Sequence, residues 1–331
     1  MKEDTPEAIK RFHEMAFSFA PMAVMATAAQ LDLFSHLTSP KDLHTLAQET
    51  SLHPKGVHRI LQALVRLGVL EREISPEEGE TYRVSPSLLP LFSPQSALYI
   101  GHFLIHAWKL QERWQELPRV IASGHPLPRE RDPQFPVTLA RGLFAIHWFQ
   151  AKELAKRLSL NQGTVLDVAG GSGVWSAGLL EEYPHLKGIV LDLPQVVEGS
   201  AKPILERMGL IDRYSFIPGD MFQEDWGYGH TAIILGHICH ALARDQILFL
   251  LEKARQAVSE RGKLILIDFL TDPQDLFPAL FSLNMLVATQ GGDVYSQNQY
   301  RLWIENSGFR VSEVIPLSGP WKSAAFIATP A

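Results

Sequence analysis

A single cysteine, Cys239, stands in 331 residues. That scarcity excludes disulfide scaffolds, cysteine-built zinc sites and iron–sulfur clusters within one chain, and it suits a reducing, cytoplasmic address. An excess of positive charge is missing as well. Thirty Lys and Arg face 36 Asp and Glu, a net charge of −6, which argues against nucleic acid as the main partner. Long hydrophobic runs are missing too. The longest are Met15–Gln30 and Leu276–Thr289, and both fall short of the roughly 20 residues that cross a bilayer. No membrane partner is expected. The first run has the wrong flank for a signal peptide, because Glu3, Asp4, Glu7 and Glu14 outnumber Lys2, Lys10 and Arg11. It reads as a buried helix. The second reads as buried in a pocket wall or a subunit interface. Neither internal repeats nor low-complexity tracts occur.

What is present falls into three textures. Residues 1–97 read as helices followed by a hairpin. In the run KGVHRILQALVRLGVL from Lys55, the residues Val57, Ile60, Leu61, Leu64 and Val65 make one helical stripe, which Gly68 ends. Leu43–Thr50 is a shorter helix before it. Val69–Ile74 and Thr81–Val84 flank a turn with Pro76 and Gly79. Helix, turn, helix and wing form a winged-helix pattern, which raises DNA binding against a packing or dimerisation role. To residue 97 there are nine Lys and Arg against twelve acids, and Glu71, Glu73, Glu77, Glu78 and Glu80 crowd the wing. A wing that tracks phosphates should not be acidic, so packing is preferred.

Residues 98–160 read as a helical linker broken by a loop at Gly124–Pro136 and rich in aromatics, among them Trp108, Trp114, Trp148 and Phe144. Residues 161–331 alternate apolar strands with helices. The strand candidates are Thr164–Val168, Lys187–Leu191, Tyr214–Pro218, Thr231–Gly236 and Lys263–Phe269, with Phe309–Ile315 and Ser323–Thr329 as a final pair. Val174–Glu182 and Gln246–Val258 are helices between them. This alternation implies an α/β, doubly wound parallel sheet, with ligands at the carboxyl ends of its strands.

The first strand ends in VLDVAGGSG, Val165–Gly173. The Gly-Lys-Ser/Thr of a phosphate loop is absent, and Ser176 stands where a dinucleotide loop wants its third glycine. The pattern Asp167-x-Ala169-Gly170-Gly171-x-Gly173 instead resembles the S-adenosylmethionine loop of class I methyltransferases. Asp192, with Leu193 in LDLP, ends the second strand and can accept from ribose hydroxyls. Asp220 in PGDMF follows the third and can accept from an adenine amine, while Met221 and Phe222 can pack on the ring. A glycine turn and acids at the next two strand ends converge on one crevice.

The chain then resembles, over nearly its whole length, the O-methyltransferases of the plant caffeate and animal acetylserotonin type and their bacterial small-molecule relatives. The carriers are APMAVMATAAQLDLFSHL (Ala20–Leu37), VLDVAGGSG, LDLP, GDMF, ICH (Ile238–His240), GKLILID (Gly262–Asp268), NMLVATQGG (Asn284–Gly292) and SGF (Ser307–Phe309), in the family's order. The resemblance implies a Rossmann-like methyltransferase sheet at 161–331 and a mostly helical winged-helix domain at 1–97. In the family the latter serves homodimerisation rather than DNA binding. It implies His240 as general base, a task that suits an imidazole, and Asp268 at the position of a buttressing carboxylate. It implies Met285 and Thr289 as pocket-lining residues; Trp108 and Phe281 are added as pocket candidates. No metal is expected, since the family type works without magnesium and the histidines show no ligand spacing. Without a basic cluster, the acceptor should be neutral, flat and partly aromatic.

The chain departs from the family pattern at three places. Ala241 follows the histidine where an acid is common. Gly236 stands in place of a lysine. Val294 stands where an acid is expected, with Asp293 one place early. His237 is an extra titratable group with no assigned role. Because members of this fold also perform C-methylation or non-methyl chemistry, those readings stay open beside O-methylation. A metabolite-sensing winged-helix regulator is a further alternative.

Overall fold

Periodicity and caps set the helices of the N-terminal unit. In the computed structural model, which describes residues 5–76, 79–128, 132–319 and 321–331, the chain divides into Met1–Leu110 and Gln111–Ala331. The first unit runs α1 (Thr5–Ala16), α2 (Phe19–Gln30), α3 (Leu33–His36), β1 (Lys41–Asp42), α4 (Leu43–Thr50), α5 (Pro54–Arg66), β2 (Leu70–Ser75), β3 (Gly79–Val84), α6 (Leu89–Phe92) and α7 (Gly101–Trp114), the last crossing the division. Asp42 caps α4 by accepting from the amides of His44 and Thr45, and Pro54 opens α5, where a missing N–H costs nothing. The α5 stripe buries Val57, Leu61 and Leu64 against Phe34, Leu46 and Tyr82. The strands form a sheet in the order β1-β3-β2. Across the hairpin Arg72 pairs with Glu80, and Arg83 with Glu71 and Glu73, so the hairpin's arginines are already engaged. Glu77 and Glu78 lie outside the described residues, as do Lys2, Glu3 and Asp4.

Met15–Gln30 is not one buried helix. It breaks at Phe17 and Ser18 between α1 and α2, and only Ala26, Ala28 and Ala29 of α2 are buried. No residue of α1 is buried. Ile9, Phe12 and Met15 follow at helical spacing and stand 57–65% exposed.

The second unit contains α8 (Leu117–Ser123), α9 (Gln134–Arg157), β4 (Gly163–Val168), α10 (Val174–Glu182), β5 (Leu186–Asp192), α11 (Pro194–Val196), α12 (Lys202–Arg207), β6 (Tyr214–Pro218), β7 (His230–Gly236), α13 (Arg244–Ala257), β8 (Val258–Phe269), α14 (Leu276–Ala288), α15 (Gln297–Asn306), β9 (Phe309–Pro316) and β10 (Ser323–Pro330). Helix α9 starts two residues before the expected loop ends, because Pro136 falls in its first turn, where no N–H is needed. Seven strands lie in the order β6-β5-β4-β7-β8-β10-β9. The first five are parallel, whereas β10 runs antiparallel to β8 and β9. The short link from Pro316 to Ser323 forces that reversal, since a parallel crossover needs about a dozen residues or more. Strands β4, β7 and β8 carry the buried core of Leu166, Ile233, Leu235, Leu264 and Leu266, which α13 and α15 cover with Leu250, Leu251, Tyr300 and Trp303.

Helix α14 is another departure from expectation. It is apolar nearly all round, yet it buries only Pro278, Met285 and Val287 and leaves Leu276 and Leu280 exposed. Among the described residues no helix is long and apolar enough to cross a membrane.

Candidate active site

From β4 the chain moves outward through β5 and β6, then returns to the other side of β4 at β7. The reversal opens a crevice between the carboxyl ends of β4 and β7. The expected cofactor and catalytic residues lie at or just beyond the ends of β4, β5, β6, β7 and β8, whereas Phe281, Met285 and Thr289 lie on or beside α14.

The turn after β4 is shaped by backbone conformation. Ala169, Gly171 and Gly173 all have left-handed φ, at 49°, 60° and 75°. Gly170 passes so close to Asp167 that a Cβ there would lie 2.7 Å from its Cγ. Asp167 itself is fully buried. Its Oδ2 accepts from the Ser176 hydroxyl (2.7 Å) and amide (3.1 Å), which fastens the turn to α10. Its Oδ1 has no hydrogen-bond partner among the described residues. Burial pushes its carboxyl up to about 7 despite the bonds from Ser176. Asp192 ties the same turn to β5: Oδ2 accepts from Gly171 N and Oδ1 from Leu193 N, each at 2.7 Å. Burial raises the Asp192 carboxyl, and those two amides counter the rise. After β6, Asp220 Oδ1 accepts from Phe222 N (2.9 Å), and Met221 and Phe222 pack against the sheet core.

The candidate catalytic residues lie across β7 and β8. His240 sits in a 3-10 turn, Cys239–Ala241, that follows β7. Its ring Nδ1 is 2.6 Å from Asp268 Oδ1, and its main-chain amide donates to Asp268 Oδ2 at 2.9 Å. Asp268 also accepts from Tyr300 Oη (3.0 Å) and Phe269 N (2.8 Å), so this fully buried carboxylate receives four donors. Burial alone would raise its carboxyl, but the neighbouring His240 and His237 imidazoles outweigh that and hold it well below the ordinary carboxylate range. An ionised Asp268 assigns the ring proton to Nδ1 and leaves a lone pair on Nε2. That nitrogen has no hydrogen-bond partner among the described residues, and the side chain is 12% exposed.

Aromatic rings wall this histidine. Phe281 meets the His240 ring edge-on at 5.0 Å and Phe269 at 4.7 Å, and Phe277 stacks on Trp321 at 5.1 Å. Met285 is buried in α14. Thr289 uses its hydroxyl locally, donating to Met285 O and accepting from Gly292 N. Trp108 lies on α7 in the N-terminal unit.

The departures from the family pattern have visible causes. At Gly236 a Cβ would fall 2.5 Å from Trp175 Cδ1, so the indole occupies the space of any longer side chain. Asp293 is exposed and accepts from Ser282 Oγ and Val294 N, while Val294 is buried. The carboxylate that buttresses His240 is therefore Asp268. Sequence reasoning missed Tyr300, which is 32 residues from Asp268 and shares no motif with it. It also missed that His237, His240 and Asp268 bring their ligand atoms within 4.8 Å of one another.

A glycine turn and an acid at successive strand ends, beside a histidine–carboxylate pair, define a nucleoside-dependent α/β enzyme. A family model described as the O-methyltransferase domain matches residues 115–310. A second, described as the O-methyltransferase dimerisation domain, matches residues 13–87. The chain belongs to the O-methyltransferase family. It is 28% identical over 322 residues to the tetracenomycin polyketide synthesis 8-O-methyl transferase of Streptomyces glaucescens, covering 93% of each chain. To the mitomycin biosynthesis 6-O-methyltransferase of Streptomyces lavendulae it is 26% identical, covering 85% of this chain and 83% of the relative. The fold is shared with human N-acetylserotonin methyltransferase, solved in complex with S-adenosylmethionine, at a TM-score of 0.83 and 21% identity over 100% and 99% of the two chains. A methyltransferase of calicheamicin biosynthesis, solved with S-adenosylhomocysteine, superposes at 0.73 with 19% identity over the full length of both chains.

Proposed function

We propose that the protein methylates a hydroxyl of a small, flat, aromatic or polyketide-like metabolite, with S-adenosylmethionine as donor and His240 as general base. The observation that carries this reading is the pair His240–Asp268, joined across the ends of β7 and β8 beside the strand that leads into the glycine turn. The residues present suit the donor. Asp192 has spent two lone pairs on the turn and keeps others for ribose hydroxyls. Gly170, Gly171 and Gly173 leave the backbone bare for close approach, and Asp220, Met221 and Phe222 stand at the next strand end. When bound, the donor supplies a methyl group on a cationic sulfur, which acidic and aromatic surroundings favour.

Nε2 of His240 takes the proton of the acceptor hydroxyl, and Asp268 holds the ring and steadies the imidazolium that results. Holding donor and acceptor in line supplies a further share of the rate. The aromatic wall of Phe269, Phe277 and Phe281 supports a flat acceptor, and the relative named for tetracenomycin polyketide synthesis supports the polyketide-like class.

We further propose a homodimer formed through the N-terminal domain, with α1 as part of its interface. The exposed Ile9, Phe12 and Met15 support this reading. A cytoplasmic address accords with the lone, buried, free thiol of Cys239. The proposal is tested by incubating the chain with labelled S-adenosylmethionine and a panel of phenols and quinols. Label transfer to a hydroxyl that disappears in His240→Ala supports it; transfer to carbon, or unchanged transfer in the variant, refutes it.

A further inference from the structure

One side chain of the second unit is buried beside the catalytic pair and has no part in the reaction above. The His237 side chain is 6% exposed, and neither ring nitrogen has a hydrogen-bond partner among the described residues. Its Nδ1 stands 3.6 Å from Asp268 Oδ1, beyond hydrogen-bond reach. Leaving both nitrogens of a buried imidazole unmet is costly. The ring is nevertheless fixed. His147 stacks on it at 4.5 Å, with its own Nδ1 tied to Gln150, and Phe269 packs at 4.4 Å.

We propose that His237, His240 and Asp268 form a site for a divalent transition-metal ion of the zinc class, and that occupancy switches the enzyme off. Two imidazoles and a carboxylate suit zinc, nickel or copper and disfavour magnesium. Zinc bonds of about 2.0–2.2 Å place neighbouring tetrahedral ligand atoms roughly 3.3 Å apart. The separations of 2.6 Å for His240–Asp268 and 3.6 Å for His237–Asp268 straddle that value. All three ligand atoms lie within 4.8 Å of one another, so modest ring rotations gather them. Three protein ligands leave a fourth position for water.

Inhibition follows from proton bookkeeping on one ring. To bind through Nδ1, His240 presents its lone pair there and carries its proton on Nε2. No proton is gained or lost. Nε2 is then protonated and cannot take another from an acceptor. Binding rests on ligand geometry alone, whereas inhibition also rests on the proposed role of His240.

The experiment titrates the full-length chain with cobalt(II) as an optical probe, then with zinc in competition with a chromophoric chelator. Wild type and His237→Phe, which keeps an aromatic ring against His147, are compared after thermal melts confirm that both fold. One equivalent per chain with a four-coordinate cobalt spectrum, weakened about tenfold or more in the variant and untouched by magnesium, is the expected result. Affinity equal in both proteins, or no saturable binding, overturns the site. Zinc should also abolish turnover reversibly, with a chelator restoring it. Stoichiometric binding with full turnover overturns the switch and, with it, the role of Nε2, while leaving the site standing.

Discussion

Asp268 grips His240 at two points. Oδ1 accepts from the ring at 2.6 Å and Oδ2 from the main-chain amide at 2.9 Å. One buried carboxylate on β8 therefore sets both the backbone turn after β7 and the tautomer of the imidazole it presents. Tyr300 of α15 and the amide of Phe269 hold that carboxylate in turn. The orientation of the His240 ring is thus set by residues of β8 and α15.

Replacing His240, the proposed base, should separate binding from chemistry. His240→Ala should lower turnover by about 10²- to 10⁴-fold, the usual span for general-base catalysis. Its affinity for S-adenosylhomocysteine should match wild type, because the glycine turn and Asp192 are untouched. Single-turnover rates and calorimetry on the same preparations check both halves.

Replacing the buttress should cost both rate and stability. Asp268→Asn puts an amide where four donors converge, so at least one buried donor loses its acceptor. Turnover should fall nearly as far as in His240→Ala, with a clear drop in urea midpoint. Tyr300→Phe removes a single bond to Asp268, worth about 1 kcal/mol, and should reduce turnover by less than Asp268→Asn does. Equal losses in the two variants would show that Tyr300 does more than hold the carboxylate.

Asp167 gives a pH signature of definite sign. Its carboxyl rises from 3.8 to about 7 on burial. Below the lower value both states are protonated, and its contribution to stability is complete. Between the two values the unfolded chain ionises while the folded chain stays protonated, so stability falls as pH rises. Asp167→Asn removes that slope. Melting temperatures from pH 4 to 8 should show the difference, variant minus wild type, growing up to about pH 7 and then levelling. A flat difference would mean that Asp167 is ionised throughout.

The exposed face of α1 makes a prediction about assembly. Because no residue of α1 is buried in the chain itself, Phe12→Glu should leave the fold intact. It should convert a dimer to a monomer in light scattering coupled to size exclusion. An unchanged mass would move the interface elsewhere.

Much of this was legible in the sequence, for local reasons. Leu43–Thr50, Val174–Glu182 and Tyr214–Pro218 keep their bounds in the structure, because their caps, turns and apolar periods lie within the segments themselves. The positions of His240 and Asp268 were legible because one follows and the other closes an apolar strand in an ordered motif. Tyr300 was not, since only the packing of α15 on β8 brings its hydroxyl to Asp268. Ser18 interrupts the apolar run in the sequence, but that alone does not say that Met15 belongs to the exposed, amphipathic α1 and the remainder to the apolar α2. The exposure of Leu276 and Leu280 escaped notice for a related reason: an apolar sequence does not say what covers it.

The central claim is an adenosyl site anchored on Asp192 that works beside, and independently of, the base. Isothermal titration of the purified chain with S-adenosylhomocysteine tests it most directly. The account predicts one site per chain, lost in Asp192→Ala and retained in His240→Ala. No heat with folded wild type, or undiminished binding in Asp192→Ala, would contradict it.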